Sequence, residues 1–339
     1  MRILAIETTC DETSAAILDG NKLLSDCVYT QIPLHSSYNG VVPELASRAH
    51  LEKMPSVLKA ALKDAGIEKF EKGCVDAVAF SRGPGLPGSL MVGRVAAETA
   101  ARLCGVPLIG VNHLEGHLLA CELENGRIAK PLQFPLIGLL ASGGHTEMWL
   151  VRGYGDYKIL GRTRDDAAGE AFDKVAKLLK LPYPGGPEVE KLASEASGPG
   201  PAFPRPYMKG TLEFSFSGLK TAVSYFLQKH PSPSLDEKRL ICRAFQDAVI
   251  DTLAHKVKEA AYKFGISRIA IGGGVSANSA LRKAFSSFRN LETRFSEKKY
   301  CSDNAAMITL CALRRLQAGK WKNSVKADPV LEQASWRIA

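Results

Sequence analysis

The chain has 339 residues, which is enough for two domains that each bury a core of their own. Its 45% hydrophobic and 23% charged residues are typical of an ordinary globular protein and exclude a disordered or fibrous chain. The net charge of +9 fits either a basic solvated surface or a polyanionic partner. With no apolar run of membrane length, no N-terminal signal pattern and eight scattered cysteines, we expect reduced thiols, no membrane association and a cytoplasmic protein.

Two stretches, Ile3 to Leu18 and Leu136 to Val151, show the same pattern. Each is an apolar run, a break of small and polar residues, and a second apolar run. This pattern predicts two β-hairpins, with turns at residues 8–12 and 141–145.

The segment after the first hairpin predicts a helix over residues 42–65, kinked or split at Pro55 because proline lacks an N–H donor. A strand from Val75 to Phe80 and a glycine-rich turn follow, and then a helix from Ser89 to Cys104. The turn fits the G-x-G-x-x-G spacing, but Pro84 and Pro87 remove amides that a pyrophosphate would use, so a dinucleotide fold is rejected.

His113 and His117 lie four residues apart in His-Leu-Glu-Gly-His, which on a helix places both imidazoles on one face. A metal pair and two ordinary helical histidines both remain open. A zinc protease needs glutamate directly after the first histidine, and here that position is Leu114. Asp303, just before a predicted helix at residues 304–318, is a candidate third ligand.

The second lobe is predicted to open at Pro131, which divides the chain into an N-terminal lobe of residues 1–130 and a C-terminal lobe of residues 131–339. Within it, residues 181–236 are predicted to be a loop-rich and partly helical insertion, followed by a helix over residues 237–264. A strand at 268–271 and three glycines then repeat the strand-and-glycine order of the first lobe. The duplication predicts an α/β protein with two sheets around a phosphate-binding cleft.

The turn from Ser142 to Gly144 could present backbone amides to an anion, or could be a plain tight turn. Asn278, after the three glycines, could hydrogen-bond a nucleobase, or the glycines could simply allow close strand-to-helix packing. Asp173 could hold ribose hydroxyls. Basic residues cluster at 162–164, 205–209, 298–299 and 314–326, where a nucleic-acid backbone could bind.

Nine strings together resemble one family, the tRNA N6-adenosine threonylcarbamoyltransferases, once called O-sialoglycoprotein endopeptidases. The strings are IETTCDETS, GPGLPGSLMVG, VNHLEGHLLA, ASGGHTE, DDAAGEAFDK, PYPGGPEVE, FSFSGLKTA, GGGVSANSALR and CSDNAAM. The resemblance is to the bacterial branch and implies the two-lobed actin/Hsp70-like (ASKHA) nucleotide fold.

The resemblance also implies a site and a reaction. It places the metal ligands, for one divalent iron or zinc ion, at His113, His117 and Asp303. It places substrate binding at Leu140, Ala141, Ser142, Gly143, Gly144, Asp173, Gly186, Glu190 and Asn278, although relatives often have aspartate at position 190. The implied reaction moves threonylcarbamoyl from threonylcarbamoyl-adenylate to the N6 amine of the adenosine 3′ of the anticodon, in tRNAs that read codons beginning with A, and releases AMP.

Asp11 and Glu12 are our own candidates for orienting or deprotonating that amine. The implied partners are tRNA, a TsaB-type paralogue that pairs with the first lobe, and a TsaE-type ATPase. A metalloprotease and an Hsp70-like ATPase remain the alternative functions, although a two-histidine site fits the Mg²⁺ of such an ATPase poorly.

Overall fold

A computed structural model of the chain describes residues 1–322. Contacts divide these residues into two compact units. Unit 1 contains residues 1–132, 152–157 and 296–322, and unit 2 contains residues 133–151 and 158–295.

The described strands are numbered in chain order. They are β1 (Arg2–Glu7), β2 (Glu12–Asp19), β3 (Lys22–Thr30), β4 (Ala77–Gly83), β5 (Leu108–Asn112), β6 (Leu123–Glu124), β7 (Arg127–Ile128), β8 (Leu136–Ala141), β9 (Thr146–Gly153), β10 (Asp156–Arg162), β11 (Arg268–Gly272) and β12 (Glu292–Phe295).

The described α-helices are numbered in the same way. They are α1 (Ile32–His35), α2 (Pro43–Asp64), α3 (Pro87–Cys104), α4 (His113–Leu119), α5 (Ala168–Leu178), α6 (Gly185–Ser194), α7 (Ser217–Lys229), α8 (Leu235–Phe264), α9 (Ser279–Ser286) and α10 (Ala305–Gln317).

Both sheets are built on one plan. Among the described residues, the sheet of unit 1 runs β5-β4-β1-β2-β3-β7-β6 and that of unit 2 runs β10-β9-β8-β11-β12. Each sheet contains an antiparallel hairpin, β1–β2 or β8–β9. The first strand of the hairpin also pairs in parallel with a strand later in the chain: β1 with β4, and β8 with β11. The predicted duplication and both hairpins are confirmed.

The hairpins form where the sequence places their apolar runs. In the first, Ile3 pairs with Leu18 and Glu7 with Ser14, which leaves residues 8–11 as the turn. In the second, Ala141 pairs with Thr146 around the turn of residues 142–145. Every residue of β8 is buried, as expected for a central strand covered on both faces.

Helix α2 runs unbroken through Pro55, so the predicted split of this helix is wrong. Proline removes one hydrogen bond to the carbonyl of Leu51, four residues earlier. Pro55 and Leu51 are both exposed, and water can therefore satisfy that carbonyl at little cost.

Residues 181–236 contain two helices, α6 and α7, separated by residues 195–216 without regular structure apart from a bridge between Thr163 and Phe214. Helix α6 lies in the proline- and glycine-rich part of this segment. Pro187 falls in its first turn, where a missing N–H is tolerated, and Val189 and Leu192 are buried in the unit 2 core.

The last described helix does not group with unit 2, which precedes it in the sequence. Residues 296–322 belong to unit 1, because α10 packs on β1 and β2 and is buried along almost its whole length. Residues 152–157, at the ends of β9 and β10, also belong to unit 1. Within residues 1–322, no helix is both long enough and apolar enough to cross a bilayer.

Candidate active site

Helix α4 presents the predicted metal ligands. The side chain of Asn112 caps this helix by accepting the amides of Leu114 (2.8 Å) and Glu115 (3.2 Å). His113 and His117 then lie on one face, with ring centroids 4.6 Å apart. Both rings are almost fully buried.

Asp303 meets the two histidines from the turn before α10. Its Oδ1 lies 3.0 Å from His117 Nε2 and 3.5 Å from His113 Nε2. The side chain of Asn304 holds this turn by donating to the Ser302 carbonyl (2.7 Å) and accepting the Met307 amide (2.9 Å). Gly116 allows the close approach of α4 and α10, because a Cβ there would lie 3.1 Å from Ile308 Cδ1 and would force this side chain to shift.

The three side chains fit a metal ion. Their potential ligand atoms all lie within 4.8 Å of one another. Ligands held about 2.1 Å from one ion at tetrahedral angles are roughly 3.4 Å apart, close to the two separations from Asp303. Three protein ligands would leave a position open for substrate or water.

Glu7 supports the cluster from β1, and our sequence analysis missed it. Its carboxylate accepts Nδ1 of His113 at 3.0 Å and the amide of Thr9 at 2.6 Å, while Ser81 donates to it as well. This leaves His113 Nε2 to face Asp303, the carboxylate–histidine arrangement of metal sites. The signal was the acid in the string IETTCDETS.

The electrostatics of the cluster favour a cation. Burial alone would lower the pKa of His113, but the carboxylates of Glu7 and Asp303 outweigh it and raise that pKa to about 9. Burial would raise the pKa of Asp303, and the two histidines instead lower it. The site thus holds positive charge on His113, which a metal ion would replace.

Glu115, the acid within the histidine pentapeptide, does not belong to the ligand set. It is fully buried and binds the guanidinium of Arg315 through contacts of 2.5 to 3.1 Å, and it accepts the hydroxyl of Tyr157 at 2.7 Å. Its carboxylate is therefore committed to an ion pair and is unsuited to act as the general base of a protease.

Asp11 and Glu12 lie at the turn of the first hairpin, also in unit 1. Burial, together with the negative charges of Asp303 and Asp11, raises the pKa of Glu12 to about 10. The carboxyl of Glu12 thus interacts electrostatically with Asp303, a member of the candidate metal cluster.

The second hairpin turn lies in unit 2 and is open. A Cβ on Gly143 or Gly144 would meet nothing within 4 Å, and both residues are exposed. Behind the turn, the Ser142 carbonyl accepts the amide of Gly169 at the start of α5 (3.0 Å). Gly169 has no room for a side chain, since its Cβ would lie 2.6 Å from that oxygen. The turn is thus packed against α5 on one side and has open space beside Gly143 and Gly144 on the other.

The other predicted substrate residues form a continuous series of contacts with this turn. Asp173, on α5, accepts the amide of Gly185 (2.8 Å), next to the open Gly186. Glu190 accepts the amide of Ser279 (2.8 Å), which follows Asn278. Gly273, at φ +87°, packs on the Ala141 backbone.

Asn278 already has structural partners. Its Oδ1 caps α9 by accepting the Leu281 amide (2.9 Å), and its Nδ2 donates to Gln246 (2.7 Å). One Nδ2 hydrogen is left for a ligand.

Some arginines of the predicted basic clusters are buried in ion pairs and do not contribute charge to the surface. Arg314 and Arg315 are buried and paired with Glu122 and Glu115, which removes them from the predicted polyanion cluster. Arg164 and Arg205 pair with Glu213 and Asp251. Residues 323–326 of the last cluster lie outside the described residues.

The repeated strand order places the chain in the actin/Hsp70-like (ASKHA) class of α/β proteins. Solved structures with this fold align over nearly all of it. HypF from T. kodakarensis matches 95% of this chain and 48% of its own at a TM-score of 0.62 and 16% identity. Component A of the (R)-2-hydroxyglutaryl-CoA dehydratase of Acidaminococcus fermentans matches 94% of this chain and 99% of its own at 0.51 and 13%.

Sequence comparison narrows the class to a family. A family model described as TsaD, tRNA N6-adenosine threonylcarbamoyltransferase, matches residues 22–310. Proteins of that name from Endomicrobium trichonymphae and Pelobacter propionicus are each 46% identical, over 100% and 94% of this chain and 100% and 93% of their own. The chain belongs to the tRNA N6-adenosine threonylcarbamoyltransferase family.

Proposed function

We propose that the protein transfers the threonylcarbamoyl group of threonylcarbamoyl-adenylate to the N6 amine of the adenosine immediately 3′ of the anticodon, in tRNAs that read codons beginning with A. AMP is the leaving group. The full-length match to the threonylcarbamoyltransferase family carries the proposal. The location that fits this substrate is the cytoplasm.

Unit 2 would bind the donor. Gly143 and Gly144 are exposed and have open space where a Cβ would lie, so a phosphate could approach this backbone and accept from its amides as its charge grows on AMP release. Asp173 accepts the amide of Gly185, the neighbour of Gly186, and its carboxylate could also accept ribose hydroxyls. Glu190, Asn278, Leu140 and Ala141 complete the proposed binding surface.

In unit 1, His113, His117 and Asp303 would hold one divalent ion, Fe²⁺ or Zn²⁺. A bound ion of this kind supplies a Lewis acid for a carbonyl, carboxylate or hydroxyl oxygen of the threonylcarbamoyl group. Glu7 fixes the ring of His113 so that Nε2 faces the ion site.

Asp11 and Glu12 would orient the attacking adenine amine or accept its proton. The bond that forms joins N6 to the carbamoyl carbon, the bond that breaks joins that carbon to the phosphate oxygen, and the N6 proton must leave. Because the pKa of Glu12 is raised, this carboxyl would accept the proton only with a positive ion bound beside Asp303, whose charge would lower that pKa. Asp11 is the other candidate for accepting it.

Replacing Glu12 by glutamine is expected to lower the single-turnover transfer rate constant by at least about a hundredfold, the size of a lost general acid–base group. The measurement is rapid-quench formation of modified tRNA. Glu71→Gln, at an exposed position of the same unit, is the matched control. If Glu12→Gln and Asp11→Asn each stay within about threefold of the unaltered protein, the assigned role is wrong.

The alternative functions are not favoured. Leu114 stands where a zinc protease has its base, and Glu115 is locked to Arg315. Family membership separates the chain from Hsp70-like ATPases of the same fold.

A TsaB-type paralogue is the proposed partner of unit 1, with a TsaE-type ATPase as a further component. Helices α2 and α3 pack together and expose large apolar side chains: Leu51 is 67% exposed, Met91 61% and Val95 55%. Such side chains on adjacent helices fit a helical protein surface better than water.

Met91→Glu is therefore expected to raise the dissociation constant for the paralogue by at least about tenfold, because the interface would bury a charge. Sedimentation of the mixed proteins measures this. Tyr262→Glu, at a 93% exposed site in unit 2, should leave pairing intact. Equal pairing of Met91→Glu and the unaltered protein would place the partner elsewhere.

The proposed reaction is tested by AMP release. Threonylcarbamoyl-adenylate is incubated with the protein, its two partners and unmodified tRNA, and AMP is followed over time. We expect release that depends on tRNA and is lost with a tRNA carrying guanosine in place of the target adenosine. Release at the same rate from both tRNAs would argue against transfer to that amine.

A further inference from the structure

A buried polar cluster lies beneath the first hairpin turn and has no part in the roles assigned above. Its members are Thr13 on β2, Gln31, His35 at the end of α1, and His50 on α2. All four side chains are at most 1% exposed. Two buried histidines in one cluster are unusual for a hydrophobic core, and each of their ring nitrogens is expected to have a hydrogen-bond partner.

The contacts of His50 fix its tautomer. Its Nε2 lies 3.0 Å from the carbonyl oxygen of Cys10, which can only accept, so Nε2 carries the proton. Its Nδ1 then accepts from the Thr13 hydroxyl (2.8 Å) and the Gln31 amide (3.2 Å). Burial lowers the pKa of His50, in agreement with a neutral ring.

Gln31 and His35 lock this arrangement. Gln31 Oε1 accepts Nε2 of His35 at 3.1 Å, and His35 Nδ1 accepts the amide of Val42 at 3.3 Å. The side-chain amide of Gln31 also donates to the Ala46 carbonyl (3.3 Å). The carboxamide therefore cannot flip without losing partners on both sides.

The cluster holds the turn that carries Asp11 and Glu12. Strand β1 ends at Glu7 and β2 begins at Glu12, so the carbonyls of Cys10 and Asp11 lie outside the β1–β2 ladder. His50 donates to the first of these carbonyls, and the backbone amide of Gln31 donates to the second at 2.9 Å. These two bonds hold the backbone from which the side chains of Asp11 and Glu12 extend.

We propose that His50 is a positioning residue of the transfer reaction: through its Nε2–H bond to the Cys10 carbonyl it sets the orientation of Asp11 and Glu12. The inference rests on the proposed role of those two acids. His50 itself touches no substrate. A displacement of reacting groups by about 1 Å is enough to cost a hundredfold in rate, so one such bond can matter.

Two substitutions of His50 distinguish a role in positioning the turn from a role in filling the core. In His50→Gln, the side-chain Nε2 can replace the ring Nε2 and donate to Cys10. In His50→Asn, the shorter side chain can replace only Nδ1 and accept from Thr13, which loses the bond to the turn. Both variants remove the ring and leave similar buried polarity.

We expect His50→Asn to lower the single-turnover transfer rate constant by about ten- to a hundredfold and His50→Gln to stay within about threefold. The assay uses the protein with its partners, synthetic donor and tRNA. Metal content and the apparent KM for tRNA should be unchanged in both variants, and thermal unfolding is recorded for each.

A rate for His50→Asn within about threefold of the unaltered protein would overturn the inference, as would equal losses in both variants that parallel equal losses of thermal stability. If His50→Asn does not fold, Gln31→Met provides the test: it removes the amide that orients both histidines, and an unchanged rate overturns the inference. Absence of transfer by the unaltered protein would instead contradict the proposed function.

Discussion

Asp303→Asn is expected to reduce bound metal from one ion per chain to a small fraction of that, and to lower the transfer rate constant by at least about a hundredfold. The substitution keeps the shape of the side chain and its bond from Thr9, but removes the charge that faces His113 and His117. Metal analysis of the purified protein and the single-turnover assay give the two readouts.

Ser302→Ala is the control for this change. Ser302 is an exposed neighbour whose backbone carbonyl, which binds Asn304, is retained. If Asp303→Asn kept a full complement of metal, the cluster of His113, His117 and Asp303 would not be the metal site.

Arg315→Met is expected to lower the free energy of unfolding by about 3–5 kcal/mol, since it leaves a buried charge without its partner. Glu115 lies between the two candidate histidine ligands in the sequence, and its side chain is fully buried. Arg315 contacts both of its carboxylate oxygens. The carboxylate would then keep only neutral partners such as the Tyr157 hydroxyl and the Cys311 thiol. Chemical denaturation monitored by circular dichroism measures the loss.

The double variant Glu115→Gln with Arg315→Met should recover most of the loss, because two neutral side chains replace the pair and Tyr157 can still donate to the glutamine oxygen. A single-variant cost below about 1 kcal/mol would show that this pair is worth no more than a surface ion pair.

The hairpins, the histidine helix and the position of Asp303 before α10 could be predicted because each depends on local pattern. Alternation and turn residues define β1–β2 and β8–β9, and helical spacing alone puts His113 beside His117. The predicted substrate residues all lie in unit 2, at the end of β8 and in the turn after it, on α5 and α6, and just before α9, and the family resemblance rather than local pattern indicated most of them.

The parts that could not be predicted depend on contacts distant in sequence. Glu7 lies 106 residues from His113, and Arg315 lies 200 from Glu115. Nothing in the local sequence distinguishes these buried pairs from surface charges, so the basic run at 314–326 predicts a surface cluster that includes Arg314 and Arg315. The return of residues 296–322 to unit 1 is equally non-local, since it depends on how α10 packs on β1 and β2.

Mass spectrometry of the tRNA product tests the central claim most directly. Unmodified tRNA is incubated with threonylcarbamoyl-adenylate, the protein, the paralogue and the ATPase, and then digested to nucleosides. We predict threonylcarbamoyladenosine at the position 3′ of the anticodon, in an amount equal to the AMP released, and its loss with Asp303→Asn. Unmodified adenosine after complete incubation, with donor and tRNA intact, would contradict the assignment of this chain as the transferase.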